Sequence, residues 1–305
     1  MALEGPILVT GAAGRLGAVG RTVTTLLLER GLPVRAMVHR EDERAAALRA
    51  AGAEVVVGDL LDPPDVARVV RGCRRIYFGM SVAAGYLEAT VTMAAVARDV
   101  GVEALVNMSQ MTVSQMSIVA TTSSTQQRQH WLGEQALAWS GLPVVTIRPT
   151  VFLEGFFLPL TAPSVRERDR IELPFGSGKT NPVSAADVAA TVAAVLADPA
   201  PHLGHVYELT GPRSQDLHGI AKEYADALQR DVRYVDVPPE DWQRVLEGAG
   251  LPEHLRKHLT TMAELNRAGR YDRSSDGIER ILGRSPSGVR EFVSRYAESF
   301  GGRPT

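Results

Sequence analysis

Short β-rich runs alternate with helix-like stretches through the first half of this chain, and the turns between them are brief. ILVT (7–10), VRAMV (34–38), EVVVGD (54–59), RIYFGM (75–80), EALVNMS (103–109) and PVVTIRP (143–149) are the strand candidates. Between them the apolar residues fall at helical spacing; Val23, Leu26 and Leu27 share one face of 21–30. Strands separated by a whole helix cannot pair as hairpins, so they run parallel, with crossovers that place helices on the sheet faces. A sheet buried on both sides needs nearly continuous apolar strands, and these runs are of that kind. The fold class predicted is α/β, a doubly wound parallel sheet.

Helix ends carry their own signals. Gly31 followed by Pro33, and Gly52, Gly101 and Gly141, read as stops. Asp62 reads as an N-cap, with Pro63 in the first turn and Asp65 near the positive end of the dipole. After residue 150 the rhythm changes. VFLEGFFLPL is apolar without a clear period, and an Ala-rich helix follows with Ser184 as N-cap and Asp187 in a capping-box-like position. HVYELTG (205–211) reads as a strand, and the rest as mostly helical, at 214–230, 239–248, 252–268 and 286–299. The organisation expected is a main domain of 1–150 plus about 181–211, and a smaller, mostly helical substrate-side domain of about 151–180 plus 212–305.

VTGAAGRLGAVGRT follows the first strand and opens the first helix, with glycines at 11, 14, 17 and 20. That context fits a dinucleotide-binding turn: bare backbone lets a pyrophosphate approach, and the helix start offers unpaired N–H groups. The sheet is then of Rossmann type. Thr10, Gly11, Ala13, Gly14, Arg15, Leu16 and Gly17 are the candidate binding residues, and either Gly17 or Gly20 opens the helix. The second strand ends in VHREDER, where a binder of NAD usually has an acid for the ribose. His39 and Arg40 stand there instead, and a guanidinium matches a phosphate dianion. NADPH (NADP) is therefore favoured over NADH, although Glu41 and Asp42 follow at once. Asp59, beside Leu60, either meets the adenine or serves the turn. Gly79, Met80 and Ser81 end the fourth strand and Met108 the fifth, where ligands of open α/β sheets lie. GSGKT (176–180) looks like a phosphate loop but has Leu173 where a glycine is needed and Asn181-Pro182 where a helix should start, so it reads as a loop.

The remaining composition narrows the partners. A formal net charge of −2 does not favour nucleic acid. The single cysteine, Cys73, excludes an intramolecular disulfide, and no Cys/His cluster has metal-ligand spacing. The first residues lack a basic run ahead of an apolar one, and no apolar stretch approaches the ~20 residues that span a bilayer. The expectation is a cytoplasmic protein with no membrane and no metal. A homodimer is allowed, without a stripe that would define its interface.

VTGAAGRLG, VRAMVHR, VVVGDLLD, LVNMSQ, the helix of His130 and Glu134, and GLPVVTIRPTVFLEGF together resemble the NmrA-like branch of the atypical short-chain dehydrogenase/reductases. The resemblance extends to PVSAADVA and VYELTGP, so it covers nearly the whole chain. The branch includes NAD(P)H-dependent quinone and dye reductases and redox-sensing regulators that bind NADP without turnover. Extended members carry Tyr-x-x-x-Lys-x-x-x-Glu on this helix. With Glu134 in the Glu place, His130 takes the Lys place and Gln126 the Tyr place, and Ser109 matches the usual Ser/Thr. Glutamine cannot donate a proton as an acid, so the familiar tyrosine mechanism is closed to this chain. Histidine can bond the ribose or relay a proton near neutral pH. Gln126, His130 and Glu134 are four apart and share a helix face.

Ser109, Gln126 and His130 are the expected catalytic set, with Glu134 structural and Arg148 bonded to backbone. Gln110, Met111, Phe152 and Phe156 are the expected substrate pocket, although methionines and aromatics of this kind also build cores. The leading expectation is an NAD(P)H-dependent oxidoreductase that reduces a quinone-like or enone-like small molecule by hydride transfer. Two others stand beside it: a non-catalytic NADP-sensing regulator, and a redox-neutral enzyme with His130 as acid or base.

Overall fold

The computed structural model describes residues 5–14 and 19–302. Its main sheet has seven strands: β1 (Ile7–Val9), β2 (Val34–Val38), β3 (Glu54–Val57), β4 (Arg75–Phe78), β5 (Ala104–Met108), β6 (Val144–Pro149) and a last one, Val206–Leu209. Every pairing is parallel, and the order across the sheet is β3-β2-β1-β4-β5-β6 and then Val206–Leu209. Strand order therefore reverses between β1 and β4, which makes a crevice at the carboxyl ends of those two strands. The α/β, doubly wound architecture read from the sequence is the one observed.

Side-chain alternation sorts the apolar runs onto two faces. Ile7, Val9, Tyr77 and Val106 pack with Val23 and Leu27 of helix Val19–Glu29 and with Val188 and Val192 of helix Ala185–Ala197. Leu8, Ile76, Phe78 and Leu105 face the opposite way, onto Val66 and Val70 of helix Pro63–Val70 and Tyr86 and Met93 of helix Tyr86–Val100. Cys73 is buried in this second layer, and burial pushes its thiol up to about 11.

A separate core gathers residues distant in sequence: Leu153, Phe156, Phe175, Tyr224, Trp242 and Phe292, among others. It encloses a small parallel sheet, β7 (Arg170–Leu173) with its partner Arg233–Asp236, neither of which the sequence marks as a strand. VFLEGFFLPL forms a wide turn of helix at Leu153–Phe157 that runs into Leu158–Arg168. Its missing period has a physical reason: Leu153, Phe156 and Phe157 are all buried, so no polar stripe is required. Helix Gly277–Leu282, also not foreseen, packs Ile278 against the first core.

Two caps differ from expectation. Asp62 precedes helix Pro63–Val70 but makes no side-chain cap bond. Ser184 does cap its helix through Ala186 N, but Asp187 turns away to Arg284 and to the Ser287 N–H at 2.7 Å. Glu154 takes up the helix start instead, accepting from Ser184 Oγ at 3.0 Å and Ala185 N at 2.7 Å. Near GSGKT the chain turns tightly, and a Cβ at Gly178 would fall 1.9 Å from Asn266 O, while Lys179 is exposed. Among the described residues, no helix is long and apolar enough to cross a membrane, and no three His, Cys, Asp or Glu side chains converge as a metal site.

Candidate cofactor and catalytic site

The ends of β1 and β4 are tied together by one side chain. Thr10 donates its hydroxyl to Gly79 O and accepts the Gly79 N–H, both at 2.9 Å. Gly11 turns the chain with φ +64°, where a Cβ would stand 2.7 Å from Gly79 O. Gly14 N donates to Gly11 O at 3.0 Å, closing the turn. Gly20 lies in the first turn of helix Val19–Glu29, and Gly11 O fills the place its Cβ would take, at 2.7 Å. The helix thus begins directly on bare loop backbone. Arg15, Leu16 and Gly17 lie outside the described residues.

Beyond β2, His39 and Arg40 are exposed. A cation that the sequence reading missed sits closer to the loop. Arg44 donates from Nη1 to Ala13 O at 2.6 Å. Asp42 aims it, accepting from Arg44 Nε at 3.0 Å while capping helix Glu43–Ala50 through the N–H groups of Arg44 and Ala45. The Arg44 guanidinium holds the Asp42 carboxyl below its ordinary value. The available signal was an N-cap aspartate with an arginine two residues into the helix. Asp42, one of the two acids that follow Arg40 at once, is paired with that guanidinium.

Asp59 accepts the Leu61 N–H at 2.9 Å and donates its own N–H to Asp65 at 3.0 Å, so at least one of its oxygens serves the turn. Leu60 and Met80 are half-buried against the second layer. Gly79 is buried and Ser81 exposed past the end of β4.

Helix Thr125–Trp139 starts at Ser124, whose hydroxyl accepts the Gln127 N–H at 3.2 Å. Gln126, His130 and Glu134 are buried along it. The Ala83 N–H donates to Gln126 Oε1 at 3.1 Å. That orients the amide so that Gln126 Nε2 faces His130 Nε2 at 3.1 Å. The Tyr86 ring lies against the imidazole, with centroids 3.9 Å apart, and is anchored by its hydroxyl donating to Met108 O at 3.0 Å. His130 Nδ1 is buried with no hydrogen-bond partner. Burial, and then the nearby His258, push the imidazole down to about 3, so it is neutral at physiological pH.

Ser109 donates its hydroxyl to the Glu134 carboxylate. Arg148 also donates to Glu134, from Nε at 3.0 and 3.2 Å and from Nη2. The expectation of backbone partners for Arg148 is therefore corrected: a carboxylate one turn past His130 reaches the ends of β5 and β6 and holds both residues. Gln110 accepts from Thr112 Oγ1 at 3.0 Å, and Met111 is buried at the start of a short helix, Met111–Gln115. Phe152 is half-buried against the first core, whereas Phe156 stacks on Phe175 at 5.8 Å inside the second.

These residues suit a dinucleotide. Glycine backbone is bare where a Cβ would collide, a guanidinium stands over the loop, and a buried imidazole nitrogen lacks a partner. A family model described as NAD(P)H-binding matches residues 11–199. An NAD(P)H azoreductase of Xenophilus azovorans is 28% identical over 290 residues, covering 94% of this chain and 98% of that protein. The solved structure of an NADPH-dependent quinone oxidoreductase of Escherichia coli with NADPH superposes with a TM-score of 0.83 at 24% identity, covering 95% of this chain and 99% of the other. NmrA, a negative transcriptional regulator, in complex with NADP gives 0.76 at 17%, covering 95% and 94%. With glycine turn, strand order and family match in agreement, the chain belongs to the NAD(P)H-binding family.

Proposed function

We propose that this chain is an NADPH-dependent reductase of a flat, apolar acceptor of quinone or enone type. The observation that carries the reading is His130, neutral and buried in the second turn of its helix, with Nε2 engaged by Gln126 and Nδ1 without a partner. The azoreductase and quinone oxidoreductase similarities support it and extend the acceptor class to aromatic azo compounds.

Bound NADPH would supply a hydride from C4 of its nicotinamide. The amides of the Gly11–Gly14 turn would hold the diphosphate. Arg44, with Arg40, would meet the adenosine phosphate, which is why NADPH is preferred to NADH. The Thr10–Gly79 tie keeps the crevice floor rigid. His130 Nδ1–H offers a hydrogen bond to the ribose or to an acceptor oxygen as it gains charge. Met111 and Phe152 would border an apolar acceptor and keep water from it. Quinone reduction asks mainly for orientation, so Gln126 is tolerated where an acid would otherwise stand.

A second reading, NADP sensing without turnover, draws on the Ser109 hydroxyl, whose proton is committed to Glu134. Redox-neutral base chemistry at His130 fares worse, because an imidazole held near 3 is a weak base at neutral pH. The test mixes purified protein with NADPH or NADH and a panel of quinones and azo dyes, and follows the reduced-nicotinamide absorbance. Turnover with NADPH, reduced about a hundredfold in His130→Ala with cofactor affinity less affected, supports the reductase. Tight NADPH binding with no turnover on any acceptor sinks it in favour of the sensor.

A further inference from the structure

The connection between β5 and the catalytic helix is gripped from outside the main sheet. Ser114 accepts from Arg273 Nη1. Gln115 exchanges two hydrogen bonds with Arg270, at 2.7 and 3.0 Å. Ser123 Oγ meets Thr261 Oγ1 at 2.8 Å, and Ser124 Oγ meets His258 Nδ1 at 2.9 Å. Consecutive loop residues thus engage positions three apart on helix Glu253–Arg267, which share one helical face. Ser123 and Thr261 also line the surface clefts on either side, whereas Ser124 and His258 are buried behind them.

The Ser124–His258 bond is the consequential one. Ser124 Oγ already accepts the Gln127 N–H as helix N-cap. Its own proton is left for His258 Nδ1, which accepts it in the tautomer that carries the ring proton on Nε2. Burial pushes His258 down to about 4, which keeps it neutral. The hydroxyl is therefore held from both sides, and its orientation decides where the first helical turn begins. Gln126 lies in that turn and His130 one turn on.

We propose that His258 is a positioning residue for the reaction: through the N-cap Ser124 it fixes the helical turn on which Gln126 orients His130. This rests on the reductase reading. It deepens that reading by assigning a role in catalysis to the substrate-side helix, although His258 makes no hydrogen bond to the catalytic set itself.

The test compares His258→Leu, which deletes the hydrogen-bond partner of Ser124, with His258→Asn, whose amide stands where Nδ1 stood. His258→Gln, whose amide reaches past that position, replaces Leu if the Leu variant does not fold. Steady-state kinetics are read together with hydrogen exchange at the Gln126–Arg128 amides. The expected result is a fall in kcat of about tenfold in Leu or Gln, with KM and NADPH affinity within about twofold, and near-wild-type turnover in Asn. Amide exchange in the same turn quickens with the kcat loss and is rescued with it. Wild-type kcat in the Leu or Gln variant, or equal damage in Asn, overturns the proposal. So does unchanged exchange. If the wild-type protein turns over no acceptor, the reductase reading fails by itself, and exchange still decides whether His258 holds the turn.

Discussion

Gln126 donates its amide N–H to His130 Nε2 at 3.1 Å, because its own carbonyl oxygen is taken by the Ala83 N–H. A backbone donor at the end of the β4 crevice thereby selects the tautomer of an imidazole on another element. With Nε2 accepting, the single proton of the neutral ring sits on Nδ1. The residue in the usual tyrosine place supplies orientation where an acid would supply a proton.

Gln126→Glu tests that relay with almost no change of shape. The carboxylate has no proton to give, so the ring must donate from Nε2 and leave Nδ1 as an acceptor. We expect the ¹⁵N shifts of His130 to report the exchanged tautomer, and kcat to fall about tenfold to a hundredfold. Unchanged shifts would mean that Gln126 does not choose the tautomer.

Arg44→Ala should separate the two cofactors. Loss of a charge-assisted contact to phosphate is expected to weaken NADPH binding about tenfold while NADH is little altered, in fluorescence titrations. Arg40→Ala is the companion measurement. Equal effects on both cofactors in both variants would discredit the phosphate assignment.

Glu134 gathers Ser109 and Arg148 in a largely buried network. Replacing it with Gln leaves the guanidinium without its counter-charge, and stability should drop by about 3 kcal/mol in urea unfolding. A loss well under 1 kcal/mol would show that solvent reaches the arginine and screens it.

Stability should also fall in mild acid. His130 and His258 are held at about 3 and about 4, below the ordinary 6.5, each mainly by burial. Above 6.5 both are neutral in either state and contribute no pH dependence. Below it the unfolded chain takes up protons that the folded chain refuses, so stability declines as pH drops from 6.5 toward about 4. The two together give a slope of about 2.7 kcal/mol per pH unit at most. Urea midpoints between pH 7.5 and 5 measure it, and the same series on His258→Asn isolates one imidazole. A flat wild-type profile over that range would show that the rings are hydrated.

The strands and helices of the first half were legible because local pattern and tertiary demand coincide there. VRAMV (34–38) is a strand to the residue, and Gly101 closes its helix in the left-handed conformation. VFLEGFFLPL was illegible for the opposite reason, since its apolar residues divide between a buried set, Leu153, Phe156 and Phe157, and half-buried ones such as Phe152 and Leu158, and leave no helical period to read. The strand Arg233–Asp236 is mostly exposed and short, and only its parallel partner Arg170–Leu173 makes it one.

The candidate site divides along the same line. Chain order and spacing alone placed Thr10, Gly11 and Gly14 on a turn between strand and helix, and put Gln126, His130 and Glu134 on one helical face. Those are short-range consequences of backbone geometry. Arg44 over Ala13, Arg148 on Glu134 and His258 behind Ser124 were decided by folding, because each joins residues from 14 to 134 positions apart. Hydrogen bonds at such separations depend on how the layers dock, and no local period encodes that.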